Sequence, residues 1–230
     1  MALEIKNSPK IKYPLSAKQR IIMVLLSLTI GILVFVIAYI GMHLKTGLGV
    51  FNQPILTWMV DHRNPIITEI AKIITSTASP VYLVMAIGIG VTAWVIIKRE
   101  VWRPLLLVGS MGLTVATSTI LKLVFMDARP PQINMVPMFE MDYSFPSGHT
   151  ISIFVLLLVL GYLIYSRQFS AKRFIGWGLL TITGTGLIAL SRLYLGYHWL
   201  TDVVASVGLG LMIFSIVIII DLIFNRHSQS

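Results

Sequence analysis

Apolar runs about as long as a bilayer is thick recur along this chain, and nothing else constrains its fold as tightly. They cover about 20–42, 79–97, 104–126, 149–166, 173–190 and 200–224. A helix needs roughly 20 such residues to cross the hydrocarbon core. Helices suit that environment because they satisfy their own backbone N–H and C=O groups. The expected fold class is therefore all-α: a polytopic membrane helical bundle with six transmembrane helices. Composition agrees. Hydrophobic residues make up 56% of the 230 and charged ones only 12%, with a mean hydropathy of +0.85. Soluble domains run near a quarter charged.

The net charge of +9 reads as basic flanks of membrane helices rather than a nucleic-acid surface, since no groove-reading motif accompanies it. With both termini placed inside, twelve Lys and Arg fall on inner segments and six on outer ones. The positive-inside rule thus predicts cytoplasmic termini. Trp58 and Trp199 then fall near the outer interface, and Trp94, Trp102 and Trp177 near the inner one. Absence of cysteine excludes disulfides, zinc thiolates and thiol nucleophiles. Residues 1–19 read as a basic cytoplasmic tail and 20–226 as one membrane domain. The first apolar run is too long for a signal-peptide core and is expected to be retained. Membrane-surface helices are expected within 51–76, before the second span, and in the outer segment 43–78 the stretch KTGLGVFNQPILTWMVDHRNP suggests a short amphipathic helix on the membrane. Glycine pairs 88/90 and 184/186 suggest close helix packing.

Charged residues at membrane depth are functional candidates, and here they form three clusters at outer span ends. KLVFMDARP (122–130) holds Lys122 and Arg129, which a continued helix would put on one face; only Asp127 lies near to balance them. FPSGHT (145–150) places Ser147 as a helix N-cap, with Gly148 and His149 in the first turn. Helix-start amides there favour an anion. SRLYLGYHWLTD (191–202) holds Arg192, His198 and Asp202. His198 and Asp202 are four apart and so neighbours on a helix face. A carboxylate there fixes the imidazole tautomer and frees the other ring nitrogen. Each cluster alone also fits a bland reading: snorkelling cations, an ordinary helix start, a capping aspartate. Together, three cations, anion-binding amides, two histidines and a carboxylate suit phosphoryl transfer. Nothing among them resembles a carboxylate metal cage, so no metal or cofactor is expected.

The pattern Lys122-x6-Arg129-Pro130, Pro146-Ser147-Gly148-His149 and Ser191-Arg192-x5-His198-x3-Asp202 resembles the three-part signature of the type-2 phosphatidic acid phosphatase superfamily, the lipid phosphate phosphatases. Vanadium haloperoxidases share it, but those are larger soluble proteins. The resemblance implies a phosphohistidine mechanism. His198 would be the nucleophile, Asp202 its orienting partner and His149 the general acid. Lys122, Arg129, Ser147, Gly148 and Arg192 would bind the phosphate. It further implies a lipid phosphate as partner, and the charge rule places the site at the outer face of the cell membrane. Phosphatidylglycerophosphate or phosphatidate is the expected substrate, with undecaprenyl pyrophosphate as the alternative. A transporter lined by the same charges is a distant third reading; neither repeats nor midplane charges favour it.

Overall fold

The computed structural model describes residues 15–137, 140–167 and 170–225. Most of the expected tail and Arg226 lie outside them. The described residues form eight α-helices and no strand: α1 (Ala17–Leu44), α2 (Asn52–Asp61), α3 (Pro65–Thr77), α4 (Pro80–Lys98), α5 (Trp102–Phe125), α6 (Gly148–Tyr165), α7 (Ala171–Tyr194) and α8 (Leu200–Asn225). Five of them (α1, α5, α6, α7 and α8) are long and apolar enough to cross a membrane. A sixth crossing results if α3 and α4, bent by 46° to each other, are taken as one broken span. The six apolar runs thus correspond to α1 and α4–α8.

Helices do occupy the 51–76 stretch: a 3-10 turn (Gly47–Phe51) leads into α2, and α3 starts at the Pro65 that ends the quoted stretch. Asn64 sets the break. Its side chain accepts from the Ile66 and Ile67 N–H groups, and Pro65 occupies the first helical position, where its missing N–H costs nothing. α1 opens with a capping box between Ser16 and Gln19.

In lipid, apolar surface gives helices little reason to associate, so close approach and hydrogen bonds carry more of the packing. α1 and α8 lie against each other along their length. A Cβ on Gly31 would stand 2.8 Å from the Gly208 carbonyl oxygen, and one on Gly208 would stand 2.6 Å from the Phe35 nitrogen. Ser27 and Ser215 hydrogen bond across the same seam at 2.7 Å, worth on the order of 1 kcal/mol in this setting. The glycines expected to mediate packing differ. Gly88, Gly90 and Gly186 have open space beside them; only Gly184 meets a neighbour, Leu157 at 3.2 Å. α4 packs only lightly on α5, which leaves its glycines unopposed.

At one end of the bundle Asp221 of α8 accepts from Arg20 of α1 (3.1 Å), Trp102 of α5 (3.1 Å) and Tyr162 of α6 (2.6 Å). This clamp joins four helices. The three charged motifs gather at the opposite end.

Candidate active site

Each motif is delivered by a helix terminus. Lys122 sits in the last turn of α5. Gly148 and His149 open α6, Arg192 lies near the end of α7, and Asp202 is in the first turn of α8. Arg129 and His198 come from the connecting loops. α5 stops at Phe125 because Met126 turns left-handed (φ 47°), so no continued helix aligns Lys122 with Arg129. The loop brings them together instead. It is closed by the Ser144 N–H bond to the Asp127 carbonyl (2.9 Å). It is pinned by Phe145, fully buried against Phe125 and Phe35.

His198 precedes α8 rather than sharing its face with Asp202, yet the two meet. Nδ1 lies 3.2 Å from Asp202 Oδ2. The same oxygen accepts from Ser144 Oγ (2.5 Å) and the Trp199 N–H (2.8 Å). The last bond is half of a capping box, so Asp202 both caps α8 and faces the imidazole. With the carboxylate accepting at Nδ1, the network assigns the proton there and the lone pair to Nε2. Nε2 faces Arg129 Nη1 at 3.3 Å. Burial, then Arg192 and Arg129, push the His198 pKa well below the ordinary imidazole range. The ring is therefore a neutral base near neutral pH.

The cations converge through two acids that motif reading passed over. Lys122 Nζ donates to Asp142 Oδ2 (2.5 Å). Arg129 Nη2 pairs with Asp142 Oδ1 and with Glu140 Oε2, the latter at 3.1 Å. Arg192 Nη2 donates to Glu140 Oε1 at 2.7 Å. Arg192 is only 2% exposed and its guanidinium stacks 4.2 Å from the Tyr197 ring centre. Asp127, the balancing acid suggested by sequence proximity, makes none of these pairs with the cations. Burial alone would raise the carboxyls of Glu140 and Asp142, but Arg192, Lys122 and Arg129 hold both below the usual range.

Lys122, Arg129, Arg192, Gly148, His149 and His198 line one cavity of about 1010 Å³. Ser147 does not line it. Its hydroxyl pairs with Thr150 (3.0 Å) instead of capping α6, and its N–H faces the Asp202 carbonyl at 3.4 Å. Gly148 alone of that pair presents itself to the cavity. Away from the charges the walls are apolar, built by α4 and α5. Val84, Val108 and Val115 line the cavity and are still 70%, 47% and 59% exposed. The flank between α4 and α5 is thus open to the surroundings of the bundle.

The segment after α1 supports the site from outside. Arg63 donates to the carbonyls of Asn134 (2.5 Å) and Tyr194 (3.0 Å), and Thr75 of α3 stands 3.3 Å from Arg192 Nη1. Gly196 (φ 76°) lets the loop before His198 pass so close that a Cβ would stand 2.1 Å from the Asn134 carbonyl oxygen. Only glycine accepts both demands.

Residues 103–226 match the family model described as PAP2 superfamily. That is more than half of the chain. This protein belongs to the PAP2 superfamily. It is a multi-pass membrane phosphatase, a hydrolase of phosphoric monoesters. Among curated relatives, phosphatidylglycerophosphatase B of Bacillus subtilis (strain 168) is 30% identical over 172 residues. The match covers 73% of this chain and 81% of the relative. Two solved structures share the fold. The PAP2-type phosphatidylglycerolphosphate phosphatase from Bacillus subtilis superposes with a TM-score of 0.70 at 24% identity, over 88% of this chain and 95% of that one. Aquifex aeolicus LpxE gives 0.54 at 22% identity, over 75% and 94%.

Proposed function

We propose that this PAP2 phosphatase removes the terminal phosphate of phosphatidylglycerophosphate or phosphatidate at the outer membrane face, without metal, through a phosphohistidine. One observation carries the reading. The His198–Asp202 pair and three cations stand at the end of a cavity whose other walls are apolar and whose flank opens between α4 and α5. Such a site takes a phosphate at its polar end and acyl chains along its apolar side. Its volume is at the upper end of the roughly 300–1,000 Å³ usual for ligand pockets. The likeness to phosphatidylglycerophosphatase B favours the glycerophosphate headgroup.

Chemically, His198 Nε2 attacks phosphorus while Asp202 holds the Nδ1 proton. Lys122, Arg129, Arg192 and the Gly148 amide hold the phosphoryl oxygens where charge builds. The P–O bond to the lipid breaks, and His149 gives its proton to the departing alkoxide. His149, now neutral, takes a proton from water. That water attacks the phosphohistidine, releasing phosphate and restoring His198.

The test is phosphate release by purified protein in detergent with EDTA. The substrates are phosphatidylglycerophosphate, phosphatidate and undecaprenyl pyrophosphate, and His198→Ala is the control. Release from the first two that persists in EDTA and vanishes in the variant is expected. Activity retained by His198→Ala refutes the covalent step, and preference for the pyrophosphate replaces the substrate. The membrane side is tested separately. A cysteine placed at Ile133, whose side chain is exposed, should react with an impermeant thiol reagent in intact cells; protection there reverses the orientation.

A further inference from the structure

A serine or threonine inside a membrane span ordinarily bonds back to a carbonyl of its own helix. On α5, Ser110, Thr114, Ser118 and Lys122 follow one another at intervals of four and so share one face. The first two obey the rule. Ser110 Oγ donates to the Leu107 carbonyl and Thr114 Oγ1 to the Ser110 carbonyl, both at 2.7 Å. The third does not. Ser118 is only 6% exposed and lines the active-site cavity, and its hydroxyl has no hydrogen-bond partner among the described residues. Ser152 of α6 is partly buried, lines the same cavity and is unpartnered in the same sense. A hydroxyl withdrawn from bulk water costs free energy until something pairs with it, so this pair points to a ligand group.

Their depth says which group. α5 ends and α6 begins at the phosphate end of the bundle. Ser118 lies four residues before Lys122, and Ser152 three after His149. Both therefore stand deeper in the bundle, by about 6 and 4.5 Å along the helix axes at a rise of about 1.5 Å per residue. Ser118 also adjoins the amide proposed to hold phosphate, since a Cβ on Gly148 would stand 3.8 Å from Ser118 Oγ. The two hydroxyls thus occupy the step between the phosphate-holding residues and the apolar walls of α4 and α5. In a bound lipid phosphate that step belongs to the alcohol that leaves.

We propose that Ser118 and Ser152 form a subsite for a neutral hydroxyl on the leaving alcohol. They make the site prefer phosphatidylglycerophosphate, whose terminal glycerol carries a free hydroxyl next to the scissile oxygen, over lipid phosphates that lack one. This rests on the function proposed above and gives its headgroup preference a physical basis. The chemistry of the pair fits. A serine hydroxyl offers one donor and two acceptors, which matches a partner that also donates and accepts. The ester oxygen at the same place in phosphatidate only accepts, so it leaves the serine lone pairs unmet. The cations that line the cavity, Lys122, Arg129 and Arg192, are all engaged at its charged end, so the deeper step is furnished for a neutral group.

The experiment compares wild type with Ser118→Ala, Ser152→Ala and the double variant in detergent micelles. Each is given phosphatidylglycerophosphate and an analogue in which propane-1,3-diol replaces the terminal glycerol. The two lipids share acyl chains and both phosphates and differ by a single hydroxyl. In wild type kcat/KM should favour the glycerol lipid about three- to tenfold, the scale of one neutral hydrogen bond. In the double variant that ratio should fall to about one, with the loss on the glycerol lipid. A wild-type ratio near one overturns the inference, and so does a ratio that the double variant leaves unchanged. The latter would follow if the serines touched the phosphoryl group, because both lipids would then lose rate together. Alanine is a better helix former than serine, so the variants are expected to fold. If the double variant does not, the single variants decide: a fall in either supports the subsite, and an unchanged ratio in both is equally fatal. Failure of the underlying function looks different. Wild type would then release phosphate from neither lipid, and the inference would fall with it.

Discussion

Asp202→Asn separates two ways in which a carboxylate can serve an imidazole, and the geometry dictates which will be seen. Asp202 is fully buried. Its Oδ2 collects Ser144 Oγ, the Trp199 N–H and His198 Nδ1, while Oδ1 has no hydrogen-bond partner among the described residues. A replacement amide has two orientations. With nitrogen at the Oδ2 position it would point N–H groups at the Trp199 N–H, a backbone donor that cannot reverse. The oxygen must therefore take that position. His198 Nδ1–H keeps its acceptor and Nε2 keeps its lone pair. What disappears is the negative charge opposite a ring that becomes cationic as it is phosphorylated. A charge-assisted bond is worth about 1.5–3 kcal/mol and a neutral one about 0.5–1.5. The transition state thus loses about 1–2 kcal/mol, roughly five- to thirtyfold in kcat. KM should not move, because no phosphate contact is touched. The assay is steady-state phosphate release from phosphatidate in detergent, with kcat and KM resolved and folding checked by circular dichroism. A loss near 10⁴, the scale of a histidine held in the wrong tautomer, would mean that the amide has turned and that the orientation argument is wrong. Full activity would mean that the Asp202 charge does no catalytic work.

Gly196→Ala forces a Cβ to within 2.1 Å of the Asn134 carbonyl at a φ of 76°. The strain should cost about 1–3 kcal/mol and displace His198, read as a lowered melting temperature together with a lowered kcat; an unchanged melting temperature contradicts the close approach. Gly112→Phe puts a ring into the cavity from α5, where no atom lies within 4 Å of the added Cβ. It should fold normally and raise KM for phosphatidate about tenfold or more, the scale of a few lost methylene contacts, while hydrolysis of water-soluble p-nitrophenyl phosphate is spared; equal losses on both substrates would place the acyl chains elsewhere. On pH the sign follows from His198. Its pKa is depressed, so the ring stays a free base as pH falls through the ordinary imidazole range. Loss of kcat/KM below about pH 6 should then track the substrate's second ionisation, with kcat level through that range; a kcat that falls with an apparent pKa near 6.5, the unperturbed imidazole value, would show His198 titrating normally.

The parts of the fold readable from the sequence are those for which a bilayer accepts few solutions. α1 and α4–α8 follow from length and apolarity. The segment 43–78 was readable only as far as helices within 51–76. It is neither long nor uniformly apolar, and its form depends on the Asn64–Pro65 helix start and on what Arg63 and Thr75 reach across the fold. Motif spacing pointed to Lys122, Arg129, His149, Arg192 and His198, which line one cavity, and to Asp202, which meets His198, yet it misjudged the route. Arg129 arrives by a loop and not a continued helix, and Ser147 turns away toward Thr150. The capping and orienting readings of Asp202 were posed as rivals, but the geometry has both, because the oxygen that closes the α8 cap also faces the imidazole.

Ser144, Glu140 and Asp142 were missed for a different reason. Acids and a serine in a polar loop resemble a solvated surface, and nothing in their spacing distinguishes a side chain that faces water from one that faces a buried guanidinium. A charge count within the site exposes the gap. Three cations near one histidine demand anions in the resting protein, and Asp127, the only acid adjacent in sequence, makes none of those pairs. The demand can be met by any carboxylate the loop is able to return to the site. The loop is tied down on either side of these residues, at Ser144 by its bond to Asp127 and at Val136 by its N–H bond to the Leu195 carbonyl, 3.0 Å long. Glu140 and Asp142 are the only acids between those ties. An electrostatic requirement of the empty site, joined to the loop's two anchors, thus picks out the residues that motif spacing left unread.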